Sequence, residues 1–97
     1  MLTAQGINEI AESIASLIGS GKYDLEGISK DTPIYKTSVE DNKIMVYLYF
    51  EDELSGSLNN FKLISKKGNE FAVKPEVIVK PNTKGLLVRF TFEVKEG

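Results

Sequence analysis

An α+β fold, with an N-terminal helix packed on a mainly antiparallel β-sheet or small β-sandwich, is predicted by three features of this 97-residue sequence. Apolar residues recur at helical spacing near the start. The longest run of strand formers, residues 43–51, contains neither Gly nor Pro. Three short polar clusters then separate apolar runs of strand length. The length suits one domain, 1–97, since two cores would each be too small to stand alone. It divides into a helix over about residues 3–18 and a β-rich part over residues 23–95.

Thr3 is the expected N-cap, its hydroxyl meeting a free backbone N–H of the first turn. Ile7, Ile10, Ala11, Ile14, Leu17 and Ile18 form the apolar stripe, which is expected to cover one face of a sheet. Gly19-Ser20-Gly21 is expected to stop the helix. Residues 23–28 alternate as a short strand, residues 29–32 read as a loop, and Pro33 opens a strand through Glu40, where it needs no ladder N–H. Asp41-Asn42 is a two-residue hairpin turn, Asn tolerating positive φ.

The turn feeds residues 43–51. Ile44, Val46, Leu48 and Phe50 share one face, and Met45, Tyr47 and Tyr49 share the other. Both faces are apolar or amphipathic, so this is read as a central strand with protein packed on each side. After an acidic loop, residues 59–65 form a strand, Lys66-Lys67-Gly68-Asn69 a turn, and residues 71–73 the return. Residues 77–79, bounded by Lys74-Pro75 and Lys80-Pro81, read as a blunted edge strand. Asn82 to Gly85 make the third turn. In the last strand Leu86, Val88, Phe90, Phe92 and Val94 face in and Arg89, Thr91 and Glu93 face out, with Leu87 the exception.

Composition narrows function. There is no Cys and no His, which removes disulfides, Cys- and His-bearing metal sites, and the Ser-His and Cys-His pairings of nucleophilic catalysis. No run of 18 apolar residues or signal-peptide pattern is present, so the expectation is a chain that neither enters a membrane nor follows a Sec route. Net charge is −2, unevenly placed: residues 1–53 carry −6 and residues 54–97 carry +4. This asymmetry either mixes on the folded surface or lets an acidic patch meet a basic patch of another copy, head to tail.

Four constellations are weighed against chemistry. Gly19-Ser20-Gly21-Lys22 resembles the end of a P-loop, but Ser16 replaces the first Gly, Tyr23 replaces the magnesium-binding hydroxyl, and the segment follows a helix. Glu51-Asp52-Glu53 lacks the spacing of a calcium loop. Lys66, Lys67, Lys74, Lys80 and Lys84, with Phe61 and Phe71, suggest stacking on nucleic acid, yet the chain is acidic, with a pI near 5.1, and such domains are basic. Tyr23, Tyr35, Tyr47 and Tyr49 offer a sugar-binding platform or a packed interface. No catalytic residue, cofactor or metal is assigned. The candidate interaction surface comprises Tyr47, Tyr49, Val77, Val79, Lys66 and Lys67.

The opening Leu2-Thr3-Ala4-Gln5-Gly6-Ile7, the following Ile10-Ala11 and Ile14-Ala15-Ser16-Leu17-Ile18, and the β layout after them resemble small bacteriophage and prophage tail proteins, of the tail-fibre N-terminal or baseplate type. The Gly-rich stretch many of those modules carry after the first strand is missing, and Gly27 alone stands there. Because the sequence ends with the β part, the expectation is a small baseplate, tail or assembly protein and not a fibre. The resemblance implies a non-enzymatic structural or assembly module. Its partners would be itself, as a homo-oligomer, and other tail or baseplate proteins, with no nucleic acid and no membrane. It would reside in the bacterial cytoplasm during assembly and then in the virion or phage-like particle. The alternative is a small β-sandwich that binds carbohydrate or peptide. A carboxylate-only enzyme ranks last, because the chain is short for a deep cleft.

Overall fold

The computed structural model describes residues 1–95. Helix α1 (Ala4–Leu17) is followed by strands β1 (Ile18–Leu25), β2 (Ile28–Thr32), β3 (Lys36–Glu40), β4 (Lys43–Phe50), β5 (Gly56–Ser65), β6 (Glu70–Lys80) and β7 (Leu86–Glu93). They form two antiparallel sheets, ordered β2-β1-β5-β6 and β3-β4-β7. The fold is thus α+β, a β-sandwich with one helix packed on both sheets.

The core lies between the sheets. Ile44, Val46, Leu48 and Phe50 of β4 and Val88 and Phe90 of β7 meet Tyr23 of β1 and Leu58, Phe61 and Leu63 of β5. Each large side chain buried there contributes roughly 1.5–3 kcal/mol. Phe50 sits between Tyr23 and Phe61, with ring centroids 4.8 and 5.7 Å away.

Thr3 caps α1 as expected: its Oγ1 accepts from the Gly6 N–H at 3.0 Å, and its carbonyl accepts from the Ile7 N–H at 3.0 Å. The helix lies across one end of the sandwich instead of covering a sheet face. It contacts β3, β4 and β1, and Ala11 is its buried residue.

Gly19-Ser20-Gly21 does not end the helix. The helix ends at Leu17, Ile18 is already extended, and the glycines lie inside β1. The Leu17 carbonyl is taken by the Lys66 N–H of the β5–β6 turn at 2.8 Å, so a tertiary hydrogen bond terminates the helix. Gly21 is there for space. A Cβ at this position would stand 2.6 Å from Cδ2 of the buried Leu48.

Residues 29–32, expected as a loop, belong to β2. Glu26 and Gly27, with φ of 49° and 81°, make a two-residue turn with both centres in positive φ, which returns the chain as a hairpin. The Asp41-Asn42 turn is confirmed, but Asp41 carries the positive φ of 54°. The Asn42 amide instead donates to Glu93 Oε1 and to the Val94 carbonyl, both at 3.2 Å.

Residues 71–73 and 77–79 are one strand, not two. Pro75 sits inside β6, where the register slips between Phe61↔Lys74 and Asn59↔Val77. Asn60 opposite has φ 49°. The bulge accommodates a residue without an N–H, and β6 is an edge strand as expected.

The largest correction concerns β4. It is central, between β3 and β7. Only one of its faces is packed, however. Met45 and Tyr47 are half-buried and Tyr49 is 39% exposed. With the helix at the end of the sandwich, no element of the described chain lies over the outer face of the β3-β4-β7 sheet.

Candidate functional site

The strand register orders that outer face into rows. Lys36, Tyr47 and Arg89 stand side by side across the three strands, as do Ser38, Met45 and Thr91, and then Glu40, Lys43 and Glu93. Tyr49 pairs with Leu87, which is 52% exposed. Leu87, the exception to alternation in the last strand, is therefore the apolar neighbour of Tyr49. Tyr35 joins them from the segment before β3. Its N–H donates to the Tyr47 carbonyl at 2.9 Å, and its ring lies 5.2 Å from that of Tyr49 at 36°. Tyr35 is 62% exposed.

Two local features aim these rings. Tyr49 leans over Gly85, whose missing side chain leaves room for the phenol end; a Cβ there would collide with the Tyr49 hydroxyl. The Tyr47 hydroxyl points along the strand to Met45 Sδ at 3.9 Å, and Lys36 Nζ lies 6.0 Å from the Tyr47 ring centroid. The result is an aromatic and aliphatic patch with cations beside it. It can bury apolar surface against a partner or stack on a flat ligand.

The six residues assigned from sequence do not come together. Tyr47 and Tyr49 lie on the outer face just described. Val77 and Val79 lie on the edge strand of the other sheet, with side chains 66% and 77% exposed. Lys66 and Lys67 lie in the β5–β6 turn against the end of α1, where they line a shallow depression of about 300 Å³ with Ser16, Leu17 and Phe71. A second hollow, about 710 Å³, lies between the first turns of α1 and the Asp41-Asn42 turn and is open to solvent.

The lysines and phenylalanines weighed for stacking are dispersed. Phe61 is wholly buried, and Phe71 packs edge-to-face on Phe92 at 5.7 Å. Lys74 Nζ donates to the Arg89 carbonyl at 2.7 Å. Lys80 is only 3% exposed, and its ammonium donates to the carbonyls of Asp52, Leu54 and Pro81 at 3.2, 2.5 and 3.1 Å. Nothing in the neighbouring sequence distinguishes it from a solvent-exposed lysine. Its role is to pin the acidic loop 51–55 to the end of β6.

Burial raises the Tyr23 phenol above its ordinary value, and the hydrogen bond that Lys62 donates to the Glu70 carboxylate raises Lys62. Neither group is on the outer face. Among the described residues no cluster of three or more His, Cys, Asp or Glu is placed to hold a metal ion, and no helix is long and apolar enough to cross a membrane. The chain matches no protein family, and no curated protein or solved structure is significantly similar to it.

Proposed function

We propose that this chain is a non-enzymatic structural or assembly module of a phage or prophage tail or baseplate, and that it acts by presenting the outer face of the β3-β4-β7 sheet to another protein. The observation that carries the contact role is the Tyr35–Tyr49–Leu87 patch, three large side chains left uncovered on a sheet face. Aromatic side chains of this kind anchor protein interfaces, because they bury large areas with few rotatable bonds. Placement in a tail particle is supported by the likeness of the Leu2-Thr3-x-x-Gly6 opening and the layout that follows it. In that setting the chain is made in the bacterial cytoplasm and incorporated into the virion or phage-like particle.

The test is quantitative mass spectrometry of particles purified from cells that express the gene, with wild-type chain and with Leu87→Glu. The expected outcome is wild-type chain at a fixed ratio to other tail proteins, and loss of the variant from particles while it stays folded. Absence of the wild-type chain from every particle fraction would reject the placement.

The second reading is a carbohydrate- or peptide-binding module. It is favoured by the tilted Tyr35–Tyr49 ring pair, which offers adjoining faces for stacking. Titration of labelled protein with oligosaccharides or short peptides would then shift the amides of Tyr47, Tyr49 and Leu87, and Tyr49→Ala would abolish the shifts.

A further inference from the structure

Charge flanks the Tyr49–Leu87 row, at one end of the outer face, on two opposite sides. On one side Lys36 and Arg89 stand on either side of Tyr47 in a single row. On the other, β4 runs out into Glu51, Asp52 and Glu53, all exposed. Lys80 fixes the position of that acidic loop through the Asp52 and Leu54 carbonyls. The Tyr49–Leu87 row lies between. Among the described residues none of Lys36, Arg89, Glu51, Asp52 and Glu53 enters a salt bridge. From the Lys36–Tyr47–Arg89 row out to the loop the order is basic, apolar, acidic, which becomes its own complement when turned end for end; the Met45 and Lys43 rows lie beyond it.

We infer that the occupant of this face is a second copy of the chain, docked about a two-fold axis that runs across the strands over the Tyr49–Leu87 row. This rests on the reading of the face as a protein-contact surface and names the partner. The two-fold reverses strand direction, so Tyr49 and Leu87 meet their own counterparts. It carries the Lys36–Tyr47–Arg89 row of each copy over the Glu51 end of the other, giving the same charge contact twice, as an isologous interface requires. Lys36 and Arg89 stand one strand spacing, about 4.8 Å, on either side of β4, within reach of the partner's acids.

Tyr49 lies one residue from the end of β4, so only the rows from Tyr47 to Glu51 face each other across this axis, about 200 Å² per copy. That is below the range of stable specific interfaces, so the dimer is weak, concentration-dependent and sensitive to salt through its rim charges.

Sedimentation equilibrium of the whole chain from about 5 μM to about 1 mM tests this. The expected result is a reversible monomer–dimer equilibrium, weakened about tenfold or more at high salt. Leu87→Glu abolishes the dimer with the circular dichroism spectrum unchanged. Arg89→Glu and Glu51→Arg each lose the dimer alone and regain it when mixed, because the mixed pair restores both charge contacts. A chain that stays monomeric throughout, a dimer indifferent to Leu87→Glu, or variants that remain monomeric on mixing would overturn the inference. A monomer found in tail particles overturns the dimer alone; a dimer absent from every particle overturns the tail placement alone. A monomer whose outer face instead takes an oligosaccharide overturns both the dimer and the protein-contact reading.

Discussion

The Lys80 ammonium exchanges water for three main-chain carbonyls, so its worth depends on what those carbonyls find without it. Lys80→Met keeps the stem and removes the donors. The loop carbonyls can turn toward water, and the expected cost is about 1–3 kcal/mol, a fall in Tm of about 4–8 °C per kcal/mol for a domain of this size. Hydrogen exchange should show faster amides confined to residues 51–55. Gly21→Ala tests the opposite situation, a contact with no slack. Its Cβ would press on Leu48, which is fully buried and cannot retreat, and overpacking of this kind costs about 1–3 kcal/mol by denaturant titration. Tyr23 adds a pH dependence. Burial raises its phenol above the ordinary 10.0, so the folded state holds that proton more tightly than the unfolded chain. The contribution is complete below pH 10.0 and is lost as pH rises through the higher folded value. Tyr23→Phe should therefore flatten the alkaline loss of stability that the wild-type chain shows in thermal melts.

Whether an element was legible depended on whether its own side chains carried the signal. Strands β4 and β7 bury regular apolar patterns and α1 carries one, of which Ala11 is buried, and the positions of all three follow from periodicity alone. Strand β2 reads Ile-Ser-Lys-Asp-Thr and is mostly exposed, so nothing alternates; only the Glu26-Gly27 turn marks it, and Glu in positive φ is a weak sign. Pro75 misled for the opposite reason. It is a strong breaker in general, but an edge strand with a bulge tolerates it. The state of the outer face of β4 is not legible, because an amphipathic Tyr and Met row looks the same whether covered or bare. Which it is depends on where the helix packs, and that is settled by tertiary contacts. The Leu2-Thr3-x-x-Gly6 opening also gains a local explanation: Thr3 caps the helix, and the Gly6 N–H meets its hydroxyl. Thr3→Ala should lower stability by about 1 kcal/mol, measured by urea titration, and a Ser in its place should restore most of the loss.

Strand order also decides the fate of the uneven charge. Phe71 against Phe92 and Lys74 on the Arg89 carbonyl place β6 beside β7. The strands of the acidic half, β2, β1, β3 and β4, then share one flank of the sandwich, and β5, β6 and β7 of the basic half share the other. The charges are not interleaved. The three salt bridges among the described residues, Lys22–Asp31, Lys62–Glu70 and Lys95–Glu93, each lie within one flank. Exposed pairs of this type contribute about 0–1 kcal/mol apiece, and the flanks are joined by one apolar core shared between both sheets and the helix. Salt should therefore act little on folding. Between about 20 mM and about 0.5 M NaCl the Tm is expected to move by less than about 4 °C, because screening removes weak attractions and like-charge repulsion within each flank together. The melt should remain a single calorimetric transition, with van't Hoff and calorimetric enthalpies equal. A steep loss of Tm with salt would mean that attraction between the flanks holds the body together; two transitions would mean that the sheets do not share their core.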